Sequence, residues 1–243
     1  MIYLDNAATG GLKPASVQNA VLASMKCCAN PGRSGHALSL ACAERVLACR
    51  NLLSDLFDGY GYERVVFTKN CTEALNLALF GTLKKGDHVV TTYLEHNSVL
   101  RPLEALKKSG AIKYSVAQAE RGRLCAEDVV SLVRENTALV IVTSASNVTG
   151  EAPDLKAIRK ALPERVLLFV DGAQGAGHLP LHMKETGIDA LALAGHKGLH
   201  AIQGAGALLF SDRVNPRPLL YGGTGSESFN PDMPEYYPDR LES

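Results

Sequence analysis

Seven short runs rich in Val, Ile, Leu, Ala and Thr punctuate this chain, and segments with helical spacing separate most of them. The runs fall at 64–68, 88–92, 112–116, 138–143, 166–170, 189–193 and 205–210. Helical patterns lie near 16–27, 39–57, 72–82, 99–109, 126–135 and 154–162. Strands that alternate with helices build βαβ units, and these force a largely parallel sheet with helices on both faces. The expected fold is therefore α/β, a three-layer α/β/α domain around a mainly parallel, mixed sheet. The last two runs lie too close together for a helical crossover, which predicts one antiparallel strand. At 243 residues there is chain enough for one large domain, or one and part of a second. The stretch from 215 onward, rich in Pro and Gly, reads as irregular loop.

Composition excludes several classes. Acidic and basic residues number 25 each, so the formal charge is zero, and no basic cluster breaks the balance. That pattern lacks the footprint of a nucleic-acid or membrane-surface binder. No apolar stretch reaches the roughly 18 to 20 residues that span a bilayer. The opening Met-Ile-Tyr-Leu-Asp lacks the basic start and long apolar stretch of a signal peptide. Cys27, Cys28, Cys42, Cys49, Cys71 and Cys125 form no CxxC pair and read as reduced thiols, which predicts a cytoplasmic protein.

The chemically useful polar residues fall in one kind of place. Asn70 to Thr72 follow the first strand run, Glu95 to Asn97 the second and Ser144 to Asn147 the fourth. Asp171 to Gln174 follow the fifth, and His196-Lys197 the sixth. Open α/β sheets bind ligands beyond the carboxyl ends of their strands, so these five clusters are expected to converge.

Lys197 is the most informative of them. It follows an apolar run directly, has His196 before it, and Gly195 and Gly198 flank the pair. Burying a lysine is costly unless its pKa falls or a partner is supplied. A lowered pKa is what a Schiff-base lysine needs, because only the neutral amine attacks an aldehyde. Asp171 ends the apolar run 166–170 and suits a protonated pyridine nitrogen. Such a charge-assisted hydrogen bond is worth roughly 1.5 to 3 kcal/mol and keeps the ring an electron sink. Gln174 is placed for the ring's phenolic oxygen, and His96 for the ring face, where it is also a candidate catalytic residue that relays protons. Asn70-Cys71-Thr72 at a helix start offers amides, a hydroxyl and the helix dipole to a phosphate. Asn147 points toward a substrate carboxylate or the ring oxygen. Arg33 and His36 bring a cation and an imidazole to a flexible lip. The set predicts pyridoxal 5'-phosphate (PLP) as cofactor.

Each piece has a plainer reading. Asp171 can cap the following turn, His96 can be structural, and Asn70 or Thr72 can be an ordinary N-cap. The Gly32–His36 loop can be simply solvated, and Asn147-Val-Thr149 also matches a glycosylation acceptor. Metal binding is not expected. His178 and His182, like His196 and His200, have helical spacing, but Pro180 interrupts the first pair and neither carries the Glu of an HExxH site. No Walker A, G-x-S-x-G or G-x-G-x-x-G motif is present.

Taken in order, six segments resemble the class V aminotransferase group, and within it the cysteine desulfurases and selenocysteine lyases. They are Tyr3-Leu-Asp5-Asn6-Ala-Ala8, Phe67-Thr-x-Asn70-x-Thr72-Glu-Ala-Leu-Asn76, Glu95-His96-Asn97, Ser146-Asn147-Val-x-Gly150, Val170-Asp171-Gly-Ala-Gln174 and Gly195-His196-Lys197. The resemblance implies a fold-type I PLP enzyme. Residues 1–243 would be its cofactor-binding large domain, with about the first 15 assignable to a small domain. It implies Lys197 as the Schiff-base lysine and α-carbon base, Asp171 as pyridinium partner, Gln174 as phenolate partner and His96 as stacking residue. Thr72 and His196 would hold the phosphate with Cys71 near it, and Asn147 would face ring and substrate.

Histidine rather than a large aromatic at 96 favours a desulfurase, which takes sulfur from L-cysteine to leave alanine and an enzyme persulfide. A small amino-acid substrate, a sulfur-acceptor protein and a second copy in a homodimer are the implied partners. Two departures stand out. Ala194 occupies a position that carries a hydroxyl in many relatives. The C-terminal small domain, with its nucleophilic cysteine and substrate-anchoring arginine, is expected to be absent from this chain. Transamination, cysteine or selenocysteine lyase chemistry, and a truncated non-catalytic module stay open as alternatives.

Overall fold

The computed structural model describes residues 2–32, 34–119, 122–227 and 229–243. Its strands are β1 (Val65–Thr68), β2 (His88–Thr92), β3 (Lys113–Ala117), β4 (Thr137–Thr143), β5 (Leu167–Asp171), β6 (Ala190–Ala194) and β7 (Gly206–Phe210). They form one sheet ordered β1-β7-β6-β5-β4-β2-β3. Every expected strand is present, shifted by at most one residue at either end. β7 runs antiparallel to both β1 and β6, and the remaining pairs are parallel. The short link between β6 and β7 leaves room only for that reversal.

Helices α1 (Ala15–Lys26), α2 (Ala37–Leu56), α3 (Cys71–Thr82), α4 (Asn97–Lys108), α5 (Ala126–Val130), α6 (Leu155–Ala161) and α7 (Met183–Thr186) accompany the sheet. One face is covered by α3 and α4, whose Leu75, Leu79, Val99 and Leu103 pack with Val89, Ile141, Phe169 and Leu208. The other is covered by α5, α6 and α7, where Val129, Ile158 and Met183 pack with Val90, Val140, Leu168 and Leu191. The residues of β2, β6 and β7 are buried throughout, as strands covered on both faces must be. The three-layer α/β/α expectation holds.

Two helices depart from the sequence pattern. α5 ends at Val130 rather than near 135. Beyond it the amides of Leu132 and Val133 bond three residues back, to Val129 and Val130, and the Thr137 hydroxyl takes the Arg134 amide at 2.7 Å. These local bonds tighten the chain out of the helix. The single turn α7 is too short to show a period. It is held by the Met183 amide on the Phe57 carbonyl (2.8 Å) and ends at Gly187 with φ +76°.

Apart from one 3-10 turn at Asp239–Leu241, the tail is irregular, as its composition suggests. It ends by closing on the sheet edge: Glu242 Oε1 and Oε2 accept from Arg50 Nη1 (2.8 Å) and Nη2 (2.6 Å), and Oε1 also accepts the Phe67 amide of β1 (2.6 Å). The Arg50 guanidinium lies over the Phe67 ring, 4.5 Å from its centroid.

Candidate active site

The register of the sheet aligns the strand ends that carry the site. Thr143 at the end of β4 is level with Asp171 at the end of β5, and Asp171 with Ala192 of β6. Beyond this rim lies a cavity of about 510 Å3, a size that suits a small ligand or cofactor. Cys71, Thr72, His96, Asn147, Asp171, Gln174, His196 and Lys197 all line it. The five scattered clusters do meet in space. His36 does not reach the cavity: its Nδ1 accepts the Ser39 amide at 3.3 Å and caps α2. Arg33 lies outside the described residues.

Asp171 is the buried centre of the site. Its Oδ1 accepts the Ala173 amide (2.9 Å) and the Cys71 thiol (3.4 Å). Burial pushes the carboxyl up from its ordinary value, opposed by these two donors and by the charges of His96 and Lys197. Cys71 is raised well above a normal thiol, first by burial and then by the neighbouring Asp171. It is a bound donor rather than a ready nucleophile.

The start of α3 forms one corner. Asn70 Oδ1 accepts the Glu73 amide (2.8 Å), while Glu73 Oε2 reaches back to the Lys69 amide (2.6 Å). This reciprocal cap orients the turn, and the Cys71 and Thr72 amides bond to no described residue. Gly206 lets the turn lie against β7, because a Cβ there would stand 2.6 Å from the Asn70 carbonyl carbon.

A relay of hydroxyls ties Thr72 to His96. His96 Nδ1 accepts the Ser98 amide at 3.1 Å and lies 2.9 Å from Ser98 Oγ. An amide can only donate, so Nδ1 is the acceptor and the neutral ring carries its proton on Nε2. Ser98 Oγ then donates to Nδ1 and accepts from Thr72 Oγ1 at 2.8 Å. The Thr72 proton, expected at a phosphate, is engaged by Ser98, which leaves the two free amides as the donors of this corner.

The N-terminal segment closes the opposite side. The His196 carbonyl accepts from the Gly10 amide (2.9 Å), Lys13 Nζ (3.0 Å) and Thr9 Oγ1 (3.3 Å). Thr9 Oγ1 also lies 3.0 Å from His196 Nδ1. Burial, then Lys197 and Lys13, hold the His196 imidazole below its ordinary value. Gln174 Nε2 donates to the Ala7 carbonyl at 3.1 Å, and Asp5, Ala7 and Ala8 line the cavity. Segment 2–13, assignable to a small domain by the resemblance, here bonds to the loop that carries Lys197.

Ser98 and Thr143 line the cavity without appearing among the candidate site residues, while Asp5, Ala7 and Ala8 belong to the first of the six resembling segments without a role assigned at the site. Ser98 had a signal, a hydroxyl two residues past a turn histidine. The place of the strip beside His196 had none, since its partner there is 187 residues away. Among the described residues no group of three or more His, Cys, Asp or Glu is placed to hold a metal ion, and no helix is long and apolar enough to cross a membrane.

The chain is similar to proteins of known class along most of its length. The cysteine desulfurase IscS of Shewanella woodyi is 32% identical over 235 residues, covering 91% of this chain and 57% of that protein. A probable cysteine desulfurase of Pyrococcus abyssi is 34% identical over 234 residues, covering 92% and 57%. Among solved structures, the apo cysteine desulfurase of Thermococcus onnurineus NA1 superposes with a TM-score of 0.85 at 32% identity, over 92% of this chain and 57% of that one. CsdA of Escherichia coli gives 0.79 at 28% identity, over 91% and 57%. The chain thus spans little more than half the length of these relatives. The family model for class V aminotransferases matches residues 2–238, and the chain belongs to that family.

Proposed function

We propose that residues 1–243 form the cofactor-binding large domain of a PLP-dependent cysteine desulfurase. The observation that carries this reading is the pairing of Asp171 and Lys197 on one cavity, with His96 and the free amides of α3 beside them. The residues present fit the cofactor. Asp171, a buried carboxyl between two donors, would hold the protonated ring nitrogen, and His96 would lie against the ring face. Gln174 and Asn147 would take the phenolic oxygen and the substrate side. The Cys71 and Thr72 amides and His196 would hold the phosphate. Bound there, the ring supplies an electron sink for charge developing at a substrate α-carbon.

The chain's own groups do the rest. Lys197 would hold the cofactor and would serve as the base that moves the α-proton of the substrate. His96 offers its Nε2 proton over the cavity. Asn147, exposed at the mouth, orients the amino-acid carboxylate. In the whole protein a cysteine thiolate takes the sulfur of L-cysteine as a persulfide, and the substrate carbon leaves as alanine. Cys71 does not fill that role, because its thiol is buried and bonded to Asp171. A homodimer in the cytoplasm, serving a sulfur-acceptor protein, completes the reading. The exposed Leu22 and Met25 of α1 and Leu38, Leu40, Leu47 and Leu52 of α2 offer apolar surface for such an assembly.

The test is covalent. The chain is incubated with PLP, reduced with borohydride and digested. A single adduct on the Lys197 peptide, with visible absorbance that Lys197→Ala lacks, is the expected result. An adduct scattered over surface lysines, equal in wild type and Lys197→Ala, would end the reading.

A further inference from the structure

Glu95 is a buried acid for which the proposed chemistry has no use. Its Oε1 accepts from Thr92 Oγ1 (2.7 Å) and from the Thr143 amide (2.9 Å). Its Oε2 is buried without a hydrogen-bond partner among the described residues. These contacts fall where the sheet opens. Pairing between β2 and β4 is registered only as far as Val90 with Val140, so beyond that point the strands part. The Thr143 amide, which would otherwise lack a β2 partner, is answered by a side chain. Glu95 thereby bridges the ends of two strands, one residue before His96 and beside the strand that ends in Asp171.

An ionised carboxylate in this place would bury an unanswered oxygen next to a second carboxylate. The two acids are not equivalent. Asp171 has donors from Ala173 and Cys71 and shares its cavity with Lys197. Glu95 has two neutral donors on one oxygen, an orphan second oxygen, and as its charged neighbour the like charge of Asp171.

We propose that Glu95 is a positioning residue that carries the proton of this acid pair: uncharged, it locks the turn after β2 to the end of β4, holds His96 at the cavity, and leaves Asp171 to bear the negative charge. Burial pushes its carboxyl up to about 8, with Asp171 adding to the rise and Thr92 and Thr143 opposing it. The native state then holds a proton that the unfolded chain has released. Stability therefore falls as pH climbs from the ordinary glutamate range to about 8, and levels off above it.

The experiment uses the cofactor-free chain, so its failure is distinct from failure to form an adduct on Lys197. Urea unfolding is measured from pH 5 to 9 for wild type, Glu95→Gln and Glu95→Ala. An amide reproduces the uncharged acid, so Glu95→Gln is expected to match wild type near pH 5. Relative to it, the wild-type folding constant should drop by about tenfold per pH unit until the plateau. Parallel curves for the two would overturn the proposal. Ring nitrogen shifts of His96 should be kept in Glu95→Gln and altered in Glu95→Ala; alteration in neither denies the positioning role. Should the variants not fold, infrared spectra of wild type decide. A protonated-carboxyl band that shifts with carbon-13 glutamate, present at pH 6 and gone by about pH 9, supports the proposal, and its absence at pH 6 refutes it.

Discussion

Cys71 shows how one contact redefines a residue. By sequence it is a thiol beside a phosphate corner; in the structure it donates to Asp171 from a buried position. Brief alkylation at pH 8 should therefore label the exposed Cys27 and Cys28 well before Cys71. Peptide mapping checks this, and equal labelling would mean that the thiol is open to solvent. At this scale the sequence disclosed residue types better than their partners. His96 and His36 look alike as loop histidines, yet both caps use Nδ1 and a nearby serine amide. Only the strand before His96 brings its ring to the cavity. Glu95 was visible as a letter in a motif, but its burial depends on β2 and β4 parting company, which no local pattern states.

Elements were the most legible level, because strand and helix periods are local. The seven runs became seven strands, and the short β6–β7 link forced the reversal in the sheet. What escaped was governed by bonds outside the helical period: the Thr137 hydroxyl takes the Arg134 amide beyond a shortened α5, and α7 is a single turn pinned by its backbone to Phe57. The cap of α3 can be tested by itself. Asn70→Ala removes the acceptor of the Glu73 amide and should lower the unfolding free energy by about 1 kcal/mol. Asn70→Asp should keep most of it. Chemical denaturation measures both, and an unchanged midpoint for the alanine variant would show that water replaces the cap.

For the whole molecule, the join between tail and sheet edge matters more than its loop-like composition suggests. Glu242 answers both a mostly buried guanidinium and a β1 amide. Glu242→Ala should cost about 2 kcal/mol, below the roughly 3 to 5 kcal/mol of a fully buried pair because Glu242 is partly exposed. Pairing it with Arg50→Met should restore part of the loss, since no stranded cation remains. If the single and double variants unfold alike, the join is not electrostatic. A different join guards the cavity: a strip with no secondary structure of its own, tethered by residues 9, 10 and 13 to one peptide oxygen just ahead of Lys197. It leads into α1, which buries none of its side chains. The threshold of the pocket thus hangs chiefly on a single peptide oxygen, so a protease nick there would unlatch the loop of Lys197 while the sheet behind it stayed whole.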